Sequence, residues 1–189
     1  GYWTAVREVA GGLIALGHQA GDCVAVVGAN RMEWVLAQFG IMAAGGVPAP
    51  GYPSNTIEQV AHILRNSEAK IAIADSGELI GNYREAIATD PEHIGVEHLV
   101  CMLDGQDGEA LTFDALRAKG REGDDAELDA RLAAIGADDV CMLIYTSGTT
   151  GVAKGVMLDH GGVMHMQEAI LGVAPIFRDP VANPYIVVS

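Results

Sequence analysis

The chain has 189 residues, half of them hydrophobic but only 5% aromatic, enough for one α/β-sized core built mainly from Ala, Val, Ile and Leu. Eleven Lys and Arg face 25 Asp and Glu, a formal net charge of −14, which excludes a nucleic-acid backbone or an anionic membrane surface as a general partner. A small anion is held by such a chain only through local backbone dipoles and a placed lysine, so any phosphate-binding pattern carries extra weight.

In chain order, apolar positions Val6, Val9, Ala10, Leu13, Ile14 and Leu16 predict a helix from Trp3 to Leu16, with Gly17 as its stop. After the turn at Gly21-Asp22, CVAVVG at 23–28 is a short continuous apolar run, the pattern of a strand buried on both faces. A helix is predicted from Met32 to Ala44, closed by Gly45-Gly46. VPAPGYP at 47–53 holds three prolines and is extended or turning.

Thr56 opens a helix reaching about Asn66, and KIAIAD at 70–75 is a second buried-strand candidate. A helix over 76–88, a strand HLVCML at 98–103, and helical patterns near 112–119 and 125–134 follow. Then come CMLIY at 141–145, a polar glycine-rich loop, GVML at 155–158, and a helix-like stretch from His160 to Leu171. Strands alternating with helices predict an α/β fold: a largely parallel sheet flanked by helices.

Cys23, Cys101 and Cys141 are widely spaced without a C-x-x-C pattern, which fits buried thiols in a reduced, cytoplasmic compartment. No apolar run reaches the ~18 residues of a membrane span. The spacings His93/His98 and His160/His165 do not match the i, i+4 pair by which a helix binds a metal. The opening GYW and the closing PYIVVS both read as cut ends, so the chain is expected to be a piece of a longer protein.

The loop carries the chemistry. A phosphate cradle needs glycines that let backbone N–H groups converge, short hydroxyls that donate to phosphate oxygens, and a cation on a reaching stem. Gly148, Gly151 and Gly155 supply the first, Thr146, Ser147, Thr149 and Thr150 the second, Lys154 the third. Lys154 follows Ala153 and precedes Gly155, so G-x-x-x-x-G-K-[ST] is not matched, and G-x-G-x-x-G does not occur. Ser147 lacks glycines at −2 and +2 and is not a nucleophile elbow. A surface hairpin without function has a similar composition; the lysine just beyond the glycines favours the cradle.

YTSGTTGVAKGVMLDH at 145–160 resembles the phosphate-loop signature of the adenylate-forming (AMP-binding) superfamily, which includes acyl-CoA synthetases, luciferases and peptide-synthetase adenylation domains. Two positions depart from it: Ala153 stands where proline is commonest, and Gly161-Gly162 where an asparagine often sits. Residues 21–75 also look like the large N-terminal domain of that superfamily, and Tyr52-Pro53-Ser54-Asn55-Thr56 is similar to a run of the long-chain fatty-acyl-CoA synthetase branch. The resemblance covers nearly all of residues 3–189.

The resemblance implies that residues 1–189 are part of an N-terminal AMP-binding domain, cut at both ends and without the C-terminal lid domain. The parent would be an ATP-dependent fatty-acid–CoA ligase using ATP, Mg²⁺ and coenzyme A. Thr146, Ser147, Gly148, Thr149, Thr150 and Gly151 would wrap the β- and γ-phosphates, Lys154 would neutralise their charge, and Thr149 would touch Mg²⁺. No catalytic residue is assigned within the chain. A Tyr-Gly-x-Thr-Glu run and the ribose-binding Asp motif are not in this sequence, so the 189 residues alone are expected to be inactive and, with sheet neighbours missing, prone to association. Peripheral membrane association and oligomeric state of the parent stay open. So do two other readings: an adenylating module that loads a carrier protein or reductase domain, and a non-catalytic module that binds a nucleotide or partner.

Overall fold

The computed structural model describes residues 1–103, 109–146 and 153–173. The first helix, α1 (Tyr2–Ala15), leads into strand β1 (Cys23–Val27), helix α2 (Met32–Ala43), strand β2 (Val47–Gly51), helix α3 (Ile57–Ser67), strand β3 (Ile71–Ala74) and helix α4 (Gly77–Thr89). Strand β4 (His98–Cys101), a two-residue strand β5 (Leu111–Thr112) and helices α5 (Phe113–Arg121) and α6 (Asp125–Ala134) follow. The chain then forms strands β6 (Val140–Thr146) and β7 (Lys154–Asp159) and helix α7 (His160–Val173).

Strands β1 to β5 make one parallel sheet in the order β2-β1-β3-β4-β5. Alternation along each strand divides its side chains between two helical layers. Val24, Val26, Ile71 and Ile73 join Val9 and Leu13 of α1, Ile41 of α2, Leu116 of α5 and Leu128 of α6 in one core. Ala25, Val27, Ala72 and Ala74 face Leu64 of α3 and Ile80, Tyr83 and Ala86 of α4 in the other. The IAIA run of β3 therefore sends its larger residues to one layer and its alanines to the other. Both-face burial explains why these strands read as continuous apolar runs.

Local chemistry fixes the helix boundaries. Thr56 and Gln59 form a capping box on α3: the Gln59 N–H donates to Thr56 Oγ1 at 3.4 Å, and the Thr56 N–H to Gln59 Oε1 at 3.0 Å. Ser76 caps α4 through the Leu79 N–H, and Asp124 caps α6 through the Ala126 N–H at 2.8 Å. Gly45, at φ +78°, ends α2 in the left-handed conformation as the sequence predicts.

The extended VPAPGYP segment contributes β2, paired with β1 from Cys23↔Val47 to Val27↔Gly51. Pro48 and Pro50 sit two apart and share one side of this strand. The ladder with β1 leaves them the outer side, the only one where their missing N–H groups cost no hydrogen bond. Strand β6 runs along that outer side, yet among the described residues it pairs only with β7, antiparallel, in a separate two-stranded sheet. Strand β5, unforeseen in the sequence, is too short to leave a period-2 pattern.

Candidate functional site

The glycine-rich loop joins β6 to β7. The two strands run antiparallel from Val140↔Asp159 to Thr146↔Lys154, so the loop closes a hairpin whose last pair is Thr146 and Lys154. Directly paired residues project from the same face of a hairpin, with β-carbons about 4.5–5.5 Å apart. Both side chains are exposed, and among the described residues no acidic side chain pairs with Lys154. A hydroxyl donor and an uncompensated ammonium thus share the hairpin mouth, a donor set suited to phosphate oxygens. Ser147, Gly148, Thr149, Thr150 and Gly151, the remaining sequence-predicted residues, lie outside the described residues.

One residue earlier, the alternation turns inward. Tyr145 is 7% exposed and packs with Ala49 of β2 and Ile63 of α3 in a small cluster that Leu143, Cys23 and Ala153 border. Its hydroxyl donates to Asn66 Oδ1 at 3.0 Å. Burial pushes the Tyr145 phenol up to about 12, so it stays protonated and keeps the donor role. His62, one helical turn before Asn66, meets the other arm: its Nε2 lies 2.7 Å from the Ala153 carbonyl. A carbonyl only accepts, so the proton resides on Nε2. The His62 and Tyr145 rings meet edge to face, 6.3 Å between centroids at 83°. Across the hairpin from Tyr145, Gly155 lies against both partners: a β-carbon there would stand 3.3 Å from Asn66 Oδ1 and 3.4 Å from the Tyr145 ring.

Beside the mouth opens a cleft of about 400 Å³ whose walls include Tyr52, Asn55, Gln59, Ile63, Thr146 and Ala153. Tyr52, 63% exposed, comes from the proline turn just beyond the C-terminal end of β2. Clefts beyond the carboxyl ends of parallel strands are where open α/β sheets bind ligands. A second cleft, about 680 Å³, lies at the opposite ends of the strands, between Val47, Val140 and Arg131. The Arg131 guanidinium is already engaged there, donating to the His18 carbonyl at 2.9 Å and the Ala44 carbonyl at 3.3 Å and pairing with Glu127 at 2.6 Å.

His62 and Asn66 were not singled out in the sequence. Their signal is faint: a histidine and an asparagine at i, i+4 on a helix whose neighbouring positions Ala61, Ile63 and Leu64 are buried. His160 begins α7 as expected, and the Gly162 N–H donates to Asp159 Oδ1 at 2.6 Å, so Asp159 satisfies the start of that helix in front of the Gly161-Gly162 departure.

Comparison with known proteins bears on the same residues. The profile of the AMP-binding enzyme family matches residues 2–185. The chain is 39% identical over 160 residues to the long-chain-fatty-acid–CoA ligase FadD15 of Mycobacterium tuberculosis, covering 85% of this chain and 26% of that protein. It is 33% identical over 188 residues to the 3-[(3aS,4S,7aS)-7a-methyl-1,5-dioxo-octahydro-1H-inden-4-yl]propanoyl:CoA ligase of Rhodococcus jostii, covering 95% of this chain and 36% of that protein. The anthranilate CoA ligase AuaEII, solved with anthranoyl-AMP, superposes with a TM-score of 0.73 at 25% identity, over 91% of this chain and 30% of that one. The chain therefore spans about a quarter to a third of the length of these relatives. The profile match over nearly the whole chain, together with the hairpin that joins Thr146 to Lys154, makes it a member of the AMP-binding enzyme family.

Proposed function

We propose that this chain forms part of the N-terminal AMP-binding domain of an ATP-dependent fatty-acid–CoA ligase acting on long-chain acids, and that residues 146–154 hold the nucleotide's phosphates. The carrying observation is the pairing of Thr146 with Lys154 at one exposed hairpin mouth. The 39% identity to a long-chain-fatty-acid–CoA ligase supports the substrate class.

In the proposed reaction a fatty-acid carboxylate oxygen bonds to the α-phosphorus of ATP, and the bond to the β-phosphate bridging oxygen breaks. The products are an acyl adenylate and pyrophosphate. The coenzyme A thiol then displaces AMP, giving a thioester and releasing a proton. This chain's share is electrostatic and positional. Lys154 compensates the negative charge gathering on the departing pyrophosphate, and the Thr146 hydroxyl donates to its oxygens. Ser147, Gly148, Thr149, Thr150 and Gly151 complete the wrap. Mg²⁺, when bound, screens the same phosphate charges, and Thr149 is the residue assigned to touch it.

Among the described residues no helix is long and apolar enough to cross a membrane, and Cys23 and Cys141 are in no disulfide. A cytoplasmic site of action is part of this proposal, since unpaired thiols persist in a reducing compartment. The test is fatty-acid-dependent exchange of labelled pyrophosphate into ATP by the complete enzyme. Exchange with palmitate that Lys154→Ala abolishes is the expected result; undiminished exchange in that variant overturns the phosphate assignment. Acyl transfer to coenzyme A, scored against transfer to a carrier protein, decides the acceptor.

A further inference from the structure

We propose that His62 and Asn66 of α3 are positioning residues for the phosphate-binding hairpin, an inference that rests on the reading of Thr146 and Lys154 given above. Neither touches the proposed ligand. Each acts through the backbone or side chain that fixes where Lys154 stands.

The argument begins with the gap between the two sheets. Among the described residues no backbone ladder connects β6 or β7 to the parallel sheet, and the prolines of β2 take donors away from the side along which β6 runs. The hairpin's seat on the rest of the fold is therefore set by side chains. The apolar cluster of Ala49, Ile63 and Tyr145 supplies attraction without direction. Direction comes from two hydrogen bonds of α3, one to each arm of the mouth. Asn66 takes the Tyr145 hydroxyl on β6, the residue before Thr146. His62 takes the carbonyl of Ala153, the residue before Lys154. The i, i+4 spacing places both anchors on one face of the helix, and the edge-to-face contact of His62 with Tyr145 locks them to each other. A hairpin held at both arms cannot pivot about either one, so the ammonium and the hydroxyl keep a fixed height above the parallel strands.

Hydrogen–deuterium exchange and MgATP calorimetry on the complete enzyme test this together. His62→Phe keeps ring volume and the edge-to-face contact but removes the donor; His62→Gln restores a donor on Nε2; Tyr145→Phe releases Asn66. Exchange of backbone amides in 142–146 and 154–158 should quicken about 10-fold in His62→Phe and in Tyr145→Phe, with β3, α4 and the urea midpoint unmoved, and return toward wild type in His62→Gln. MgATP affinity should fall about 10-fold in His62→Phe and recover in His62→Gln. Wild-type exchange in both His62→Phe and Tyr145→Phe overturns the positioning role, whatever the nucleotide data show. Should His62→Phe fail to fold, Tyr145→Phe alone decides by the same readout. Equal MgATP titrations for wild type and Lys154→Ala would instead sink the phosphate reading, leaving the exchange result to judge the anchoring of the hairpin.

Discussion

Gly120 of α5 lies directly against the backbone carbonyl of Glu8 in α1, so close that a β-carbon on Gly120 would overlap that oxygen. The same interface brings Gly12 against the Leu116 carbonyl, where a side chain is equally impossible. Around this backbone contact the Glu8 carboxylate accepts from Arg117 at 2.7 Å and from Arg121 at 3.2 Å. Glycine at 12 and 120 is thus what lets α5 close over α1 and seal the larger core layer.

Gly120→Ala should destabilise the chain by about 2–3 kcal/mol, since neither rigid helix backbone can yield. Gly81, exposed in the middle of α4, has nothing within 4 Å of the place a β-carbon would take. Gly81→Ala should therefore stabilise by about 0.5–1 kcal/mol through helix propensity alone. Urea unfolding of both variants checks the pair; loss of stability at 81 or none at 120 would contradict the packing described.

Stability should fall between pH 7 and pH 5 because of His18. Its ring is 3% exposed, its Nε2 has no hydrogen-bond partner, and it presses on Gly46. Burial lowers its pKa to about 4 from 6.5. Between those values the unfolded chain takes up a proton that the folded chain refuses, so stability rises with pH across this window and is lost on acidification. The loss from this group is about 2 kcal/mol on going from pH 7 to pH 5. His18→Met should flatten that part of the profile; an unchanged slope in the variant would assign the effect elsewhere.

Arg131 bridges elements that no ladder joins. Its guanidinium, from α6, reaches the carbonyls of His18 and Ala44, which follow the ends of α1 and α2. Carbonyls at helix C-termini lack intrahelical partners and carry partial negative charge. Arg131→Met should cost about 1.5–3 kcal/mol, and Arg131→Lys should recover little, because an ammonium lacks the planar fork that meets two carbonyls at once. Thermal unfolding of the two variants side by side makes the comparison.

Lys154→Ala should weaken MgATP binding by about 10- to 100-fold, the loss of one or two charge-assisted contacts. Its side chain is exposed and forms no ion pair with a described residue, so the unfolding midpoint should stay within about 0.5 kcal/mol of wild type. Calorimetry and urea unfolding on the same preparation separate binding from folding.

Much of the architecture follows from interactions that span three or four residues and so are written locally. The capping box of Thr56 and Gln59, the cap at Ser76, the left-handed stop at Gly45 and the two-sided apolar runs of β1 and β3 each need only their own neighbours. The signature at 145–160 is likewise continuous, and it contains both Thr146 and Lys154, which the hairpin pairs. Other features depend on residues far apart in the chain. Whether Pro48 and Pro50 end a strand or line an edge depends on where β1 lies, not on the prolines. Gly12 and Gly120 become a helix contact only once α5 returns to α1. His62 finds Ala153 at a separation of 91 residues, and Asn66 finds Tyr145 at 79. A hydrogen bond between such partners leaves no periodicity in either segment, because each half is an ordinary polar residue until the sheet and helices bring the two together. The sequence by itself determined the α/β class and the glycine-rich run proposed to hold phosphate; the tertiary structure decided how that run is held, because the anchors of a hairpin outside the main ladder are chosen by packing across the whole fold.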